Sequence, residues 1–298
     1  MQVIAIPRHL NHLTVEVLVE KFNGVDLLDE LMFDFSNVSF ITPAGLAAVS
    51  ALMRLSQNAL TDQKRWFMQS KNANVSAYLE RMDFFKGFGL RGPSIKRQPR
   101  QDVLLEMTHL TSVEQVEQVT EQVLRIIQAQ VACGSGIISG IRTAASEVLD
   151  NVFRHSGETG GIICAQTYPR VGRVEVSVVD TGRGILKSLM ENPVYAGSTS
   201  HIDAINEAVK RNTTSKPGAH TGIGLWLARQ YLRANSGQLW IHSGSAQVAF
   251  YPTLRRAVAC TEWPGTRIVM MWNLLCPIDT KAILDKEYPE DAVDDLFA

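Results

Sequence analysis

A Gly-x-Gly sequence that opens a helical pattern is the feature that most constrains how this chain of 298 residues can fold. Gly222 and Gly224 stand immediately before apolar residues at helical spacing, which predicts a helix over residues 224–234. The N–H groups of a helix's first turn have no partner within the helix, so they can hold phosphate groups. The surrounding sequence fits neither Gly-x4-Gly-Lys-Ser/Thr nor a Gly-x-Gly-x-x-Gly that follows a strand. Both of those nucleotide-binding folds are therefore disfavoured.

A second pair of glycines follows a predicted strand over residues 173–179. The strand runs into Asp180, and Gly182 and Gly184 come directly after it. A carboxylate at the end of a strand can accept a hydrogen bond from an exocyclic amine such as that of adenine. The glycines allow the main chain to turn sharply and to approach a ligand closely. A plain strand-to-turn sequence is the alternative, since Asp-Thr-Gly is common in turns.

A third motif lies on a helix predicted over residues 136–155. Glu147, Asn151 and His155 follow one another at intervals of four, so they share roughly one face of that helix. The amide oxygen of Asn151 is a suitable Mg²⁺ ligand. The carboxylate of Glu147, one turn earlier, can polarise an attacking hydroxyl or water. Taken alone, the three side chains fit a capped and solvated helix end better than a functional site.

The three motifs, in this order, resemble the N, G1 and G2 boxes of the GHKL ATP-binding superfamily. This superfamily includes gyrase, heat-shock chaperone, histidine kinase and MutL ATPases, and the resemblance covers about residues 108–274. It implies an α/β fold of the Bergerat type, with a mixed sheet on one side and helices on the other. It also implies ATP and Mg as cofactors.

The resemblance assigns a role to each motif residue. Glu147 matches the acidic catalytic residue. Asn151 matches the magnesium ligand, which makes it both a metal-binding and a cofactor-binding residue. Asp180 matches the aspartate that binds adenine, with Gly182 and Gly184 beside the base. Residues 186–221 match the lid, and the positions expected near the phosphates are Thr213, Thr214, Ser215, Lys216, Thr221, Gly222 and Gly224.

The first 90 residues show a different pattern, in which short strands and helices alternate as in a small α/β domain. Residues 14–22 fit a helix or a strand equally well, and residues 43–57 form a clear helical pattern. Residues 32–46 resemble the STAS fold of anti-sigma-factor antagonists. That family places an Asp-Ser pair before the helix, and its serine is phosphorylated, whereas this chain has Thr42-Pro43. A docking or scaffolding role is therefore expected in place of the serine switch.

These observations divide the chain into four parts. Residues 1–90 are predicted to form the STAS-like domain and residues 91–105 a linker, because residues 91–102 are rich in proline and basic side chains. Residues 106–278 form the ATP-binding domain, and residues 279–298 an acidic C-terminal tail with a short helix. Within the ATP-binding domain, helices are predicted at 112–131, 136–155, 201–211 and 224–234, and strands at 162–168, 173–179, 238–242, 248–251 and 267–272.

Composition excludes several other classes of protein. The 29 basic and 30 acidic residues give a net charge of −1, which disfavours broad binding to nucleic acid. The cysteines form no C-x-x-C pair, so a zinc site or a redox dithiol is not expected. No apolar stretch is long enough to span a bilayer. We therefore expect a cytoplasmic protein with a protein partner, without nucleic acid or membrane binding, and homo-oligomerisation stays open.

The sequence favours a Mg-ATP-binding regulatory protein. Its most favoured activity is that of a protein serine/threonine kinase of the anti-sigma-factor type, with a fused STAS-like domain. An ATP-gated interaction module, or a slow ATPase without protein kinase activity, is the alternative. A histidine kinase is less favoured, because the helix over residues 112–131 contains no histidine that could accept a phosphoryl group.

Overall fold

A computed structural model of the chain describes residues 1–59, 65–93, 103–155, 160–215 and 222–287. Two predicted site residues, Lys216 and Thr221, lie outside these ranges, as do most of the predicted linker and the end of the acidic tail. The described residues form helices and sheets, which confirms the α/β class. None of the helices in these ranges is both long and apolar enough to cross a membrane.

The N-terminal unit alternates strands and helices, as the sequence predicts. Its elements are β1 (Gln2–Ala5), β2 (His9–Leu10), α1 (Val15–Asn23), β3 (Leu31–Asp34), β4 (Phe40–Ile41), α2 (Pro43–Ala59), β5 (Arg65–Met68), α3 (Ala73–Arg81) and α4 (Phe84–Gly87). A parallel sheet has the order β1–β3–β5, and β2 pairs with β4 in parallel. The ambiguity over residues 14–22 is resolved as a helix, since α1 buries Val15, Leu18, Val19 and Phe22 on one face.

The second unit is built on five antiparallel strands. Its elements are β6 (Leu104–Leu110), α5 (Gln115–Gln128), α6 (Ser135–His155), β7 (Gly161–Tyr168), β8 (Arg173–Asp180), α7 (Gly184–Leu189), α8 (His201–Ala208), α9 (Gly224–Ala234), β9 (Gln238–Phe250), β10 (Arg255–Asn273) and α10 (Thr280–Glu287). The strands have the order β6–β7–β8–β10–β9. The helix bounds agree with the predicted ones to within a few residues.

Two expectations about this sheet are wrong. The sheet was expected to be mixed, but every described pairing in it is antiparallel. The strands β7 and β8 follow each other in sequence and pair directly, as do β9 and β10, and β10 also pairs with β8. The strands predicted at 238–242 and 248–251 are one strand, β9. The polar residues between them suggested a turn, but Gly244 continues the strand with a φ of +57°.

Both faces of the five-stranded sheet are covered. Successive residues of β7 illustrate this, since Ile163 and Ala165 pack into the apolar core beneath α5, α6 and α9, whereas Ile162 and Cys164 pack into a core shared with the N-terminal unit. The helix α2 crosses β7 and β8 on that second face. A strand that is apolar on both sides is expected where both faces of a sheet are buried.

A buried carboxylate joins the two units. Glu175, on β8, is 6% exposed and accepts a 2.8 Å hydrogen bond from the Ala44 N–H in the first turn of α2. The Thr42 side chain also hydrogen-bonds to this carboxylate, and Thr42 is itself 7% exposed. A negative charge at a helix N-terminus is favourable. Thr42, the residue before α2, therefore contacts the second unit and is not free at the surface.

Candidate nucleotide-binding site

A cavity of about 370 Å³ brings most of the predicted site residues together. It lies between α6, the end of β8, α7, the 213–215 segment and the start of α9. The predicted residues that line it are Glu147, Asn151, Asp180, Gly184, Thr213, Thr214, Ser215, Gly222 and Gly224. Gly182 is adjacent and donates its N–H to Asp180. Residues more than 70 positions apart in sequence thus form one site.

Asp180 is the last residue of β8 and is 8% exposed. Its Oδ1 accepts the main-chain N–H groups of Gly182, at 2.8 Å, and Thr266, at 3.3 Å. These two bonds leave Oδ2 as the oxygen that can accept a hydrogen bond from a ligand. Burial raises the pKa of Asp180 to about 7, although the two N–H groups act in the opposite direction.

Glu147 lies against the first residue of α9. A Cβ at position 224 would collide with Oε2 of Glu147 and would lie 3.1 Å from its Cβ, so any side chain there would force Glu147 to shift. Burial raises the pKa of Glu147, and the nearby Asp150 raises it further, while Arg154 opposes them. A carboxylate whose pKa is raised is a better proton acceptor than an exposed one. It lies where the free N–H groups of a helix start would hold phosphates.

Asn151 lies one helical turn after Glu147 and lines the same cavity. The two charged residues on either side of Asn151 along α6, Asp150 and Arg154, form an ion pair with each other. The helix ends at His155, the third residue of the predicted stripe. Asn151 therefore presents a neutral oxygen ligand to the cavity beside a carboxylate, which is a combination suited to Mg²⁺.

The end of the cavity beside the start of α9 has room for phosphate groups because position 222 is glycine. Gly222 has a φ of +65°, and a Cβ there would lie 2.6 Å from the carbonyl carbon and oxygen of Thr213. Ser215 is 6% exposed, and its hydroxyl has no hydrogen-bond partner among the described residues. A buried hydroxyl without a partner is costly unless a ligand satisfies it. This end of the cavity therefore suits an anionic, hydrogen-bonding group.

Among the cavity-lining residues that the sequence did not predict for the site, Thr266 is the one that hydrogen-bonds to the carboxylate of Asp180. Thr266 lines the cavity and donates its N–H to Asp180, yet it lies just before the strand predicted at 267–272. The pairing of β10 with β9 changes register twice between Ala259 and Thr266. These bulges determine which residue faces the cavity, and no hydrophobic period in the sequence signals them. The Gly265-Thr266 pair before an apolar run was the available signal.

One comparison with known protein families falls on the part of the chain that contains this cavity. The family described as histidine kinase-, DNA gyrase B- and HSP90-like ATPases matches residues 136–272. The adaptive-response sensory kinase SasA of Crocosphaera subtropica is 29% identical over 143 residues, which cover 46% of this chain and 34% of that protein.

Two further relatives show the same limited overlap. SasA of Gloeothece citriformis is 32% identical over 103 residues, or 35% of this chain and 23% of that protein. The cell-division control histidine kinase PdhS of Brucella anthropi is 28% identical over 118 residues, or 38% of this chain and 11% of that protein. The chain thus spans about a third or less of the length of these curated relatives.

Proposed function

We propose, from the match of residues 136–272 to the family of histidine kinase-, DNA gyrase B- and HSP90-like ATPases, that the chain is a Mg²⁺-ATP-dependent protein serine/threonine kinase. The domain itself is that of an ATP-dependent kinase or ATPase. The single observation that favours phosphoryl transfer is the carboxylate of Glu147 at the start of α9, with Asn151 one turn further along α6. This pair supplies a proton acceptor and a metal ligand in one cavity.

The chemistry of the cavity fits ATP from end to end. Asp180 offers a buried acceptor for the adenine amine, and Ser215, Gly222 and Gly224 surround the space for the phosphates. Bound Mg²⁺ would neutralise part of the phosphate charge, and Asn151 is the residue that would hold it. Phosphoryl transfer asks a protein chiefly for positioning and for charge neutralisation. This set of residues supports both.

Glu147 is the proposed general base. It takes the proton of the acceptor hydroxyl as that oxygen bonds to the γ-phosphorus and the bond to ADP breaks. Burial, which raises the pKa of Glu147, favours the protonated product of this step. The proposed acceptor is a serine or threonine of a regulatory protein partner, in the manner of anti-sigma-factor kinases.

A histidine kinase is the reading that the names of the relatives favour. Two observations argue against a histidine kinase. The helix α5 contains no histidine. The histidine that precedes this helix, His109, lies on β6, and its Nε2 is 3.0 Å from Nη2 of Arg54 on α2. Burial and the Arg54 charge lower the pKa of His109 to about 4. A ring held between the two units is a poor phosphoryl acceptor. An ATP-gated interaction module is the second candidate, because the N-terminal unit covers one face of the ATPase sheet.

One labelling experiment distinguishes these functions. The full chain would be incubated with γ-³²P-labelled ATP, magnesium and candidate partner proteins, and the products treated with acid and with alkali. Label on the partner that survives acid, with phosphoserine or phosphothreonine after hydrolysis, supports the proposal. Acid-labile label that survives alkali would make the chain a histidine kinase. Free phosphate without protein label would make it an ATPase or an ATP-gated module.

Asp180→Asn is expected to weaken ATP binding by about 10- to 150-fold. The amide preserves the shape of the side chain, but it replaces a charged acceptor, and hydrogen bonds to charged groups contribute about 1.5–3 kcal/mol. Isothermal titration calorimetry measures the change, with inorganic tripolyphosphate as the control ligand because it lacks adenine. Unchanged ATP affinity in a folded variant would place adenine elsewhere.

The affinity for ATP is also expected to depend on pH through Asp180. Since burial raises the pKa of Asp180 to about 7, its carboxyl is protonated below that pH and ionised above it. Binding to the ionised form is then lost as the pH falls, by about tenfold between pH 8 and pH 6. ATP titrates in the same range, so the measured quantity is the ratio of wild-type to Asp180→Asn affinity. A ratio independent of pH would refute the role of the carboxylate.

A further inference from the structure

One segment of β10, residues 261–266, lies between the N-terminal unit and the adenine end of the cavity. The pairing of β10 with β9 changes register once before Trp263 and once after it. The segment therefore departs from the regular strand pairing on both sides of that residue. Bulges of this kind redirect side chains and main chain toward neighbouring structure. Here the two sides of the bulge contact different parts of the molecule.

The first side of the bulge is bound by α1 of the N-terminal unit. The carboxylate of Glu16 accepts the N–H of Thr261, and the Asn23 amide donates a 2.8 Å hydrogen bond to the Glu262 carbonyl. These are side-chain contacts to consecutive main-chain groups. They fix the position at which Trp263 enters the core.

The other side of the bulge holds Asp180. The indole N–H of Trp263 donates a 3.0 Å hydrogen bond to the main-chain carbonyl of Asp180. Gly265 has a φ of +109°, and a Cβ there would lie 2.5 Å from that carbonyl oxygen and 2.7 Å from Oδ1 of Asp180. Thr266 then donates its N–H to the same Oδ1. Residues 263–266 therefore fix both the main chain and the carboxylate of Asp180.

Trp263 itself belongs to the core that the two units share. It is 1% exposed and lies in the same apolar cluster as Leu18 of α1 and Leu52 of α2. A tryptophan in such a cluster is immobilised by packing, and its N–H needs a partner when buried. The partner is the carbonyl of the residue that would bind adenine. Packing in the N-terminal unit and the position of Asp180 are thus linked by one side chain.

The polar groups around the bulge form a hydrogen-bond network. One possible ligand atom from each of Glu16, His242 and Cys260 lies within 4.8 Å of the other two, a spacing that metal ligands also show. However, Nη2 of Arg267 lies 3.2 Å from Nδ1 of His242, and a guanidinium only donates. Nε2 of the same ring lies 3.1 Å from the Thr261 carbonyl and 3.2 Å from Sγ of Cys260, so both ring nitrogens already have hydrogen-bond partners.

We propose that Trp263 is a positioning residue for Asp180, through which docking of the N-terminal unit sets the affinity of the cavity for adenine. This inference rests on the proposed nucleotide site. The N-terminal unit then acts as part of the ATP pocket, because α1 fixes residues 261–262 and residues 263–266 fix Asp180. Loss of either set of contacts allows Asp180 to move away from the adenine amine.

Two substitutions test the two sides of the bulge, each with a matched control. Trp263→Phe keeps an aromatic ring but removes the N–H, and the affinity for both ATP and adenosine is expected to fall about three- to tenfold. Its control is Trp272→Phe, since Trp272 is also 1% exposed on β10 and its N–H has no hydrogen-bond partner among the described residues. Glu16→Ala removes the acceptor of the Thr261 N–H and is expected to lower both affinities about threefold, and its control is Glu20→Ala on the exposed side of α1.

Tripolyphosphate affinity separates positioning from general destabilisation. It is expected to be unchanged in Trp263→Phe and Glu16→Ala, because Gly222 and Gly224 are not touched. The proposal is overturned if both folded variants bind ATP and adenosine as the wild type does. It is also overturned if tripolyphosphate binding falls by the same factor. A wild-type chain that binds no ATP would instead refute the proposed function.

Discussion

Replacing Glu147 by alanine is expected to lower phosphoryl transfer or ATP hydrolysis by about 10²- to 10⁴-fold, which is the usual contribution of a general base. ATP affinity is expected to be maintained or to increase. The reason is electrostatic, because the carboxylate of Glu147 lies against the start of α9, where the phosphates would bind, and its removal takes away a negative charge. Single-turnover rates at saturating ATP, together with calorimetric affinities, measure the two effects separately.

Two further substitutions test the role of Glu147 more sharply. Glu147→Gln keeps the packing against Gly224 but cannot accept the proton, so it should be as slow as alanine. Asp150→Asn is the control, because Asp150 lines the same cavity but is paired with Arg154. Full activity in folded Glu147→Ala would exclude the general-base role. An equal loss of ATP affinity in Glu147→Ala and in Asn151→Ala would make Glu147 a structural residue of the pocket.

Asn151→Ala is expected to abolish most of the effect of magnesium on ATP binding and to lower turnover by about 10²- to 10³-fold. A metal ion contributes several kcal/mol of charge stabilisation to such a reaction, and Asn151 is the proposed ligand. The measurement is ATP affinity and turnover as a function of magnesium concentration. Binding of ATP in the presence of a chelator should be the same in the variant and in the wild type.

The matched control for this position is Asn151→Asp, which keeps an oxygen ligand and should retain the dependence on magnesium. The pair of variants therefore distinguishes loss of the ligand from disturbance of α6. If Asn151→Ala responds to magnesium as the wild type does, the metal is held by another residue and the assignment of Asn151 is wrong.

Residues 136–234 show how much of the secondary structure and of the site local sequence patterns predict. Apolar side chains at helical spacing placed α6 and α9 correctly, because a helix that buries one face must repeat that face every three to four residues. Asp180 ends its strand and Gly224 begins its helix, as the motifs predict. The cavity then brings Glu147, Asn151 and Asp180 together. The division of the chain at residues 91–105 and the STAS resemblance stay predictions.

The sequence by itself determined the helices, most of the strands and the motif residues of the cavity, since each depends on spacing within one segment. Only the tertiary structure decided what covers the second face of the sheet and how Asp180 is held. Glu175 of β8 meets the start of α2, and Trp263 meets Asp180, across more than 80 residues in each case. Hydrophobic periodicity predicts that a side chain is buried, but it does not predict which distant surface buries it. A β-bulge such as the one around Trp263 interrupts the periodicity, so it cannot be predicted from the pattern.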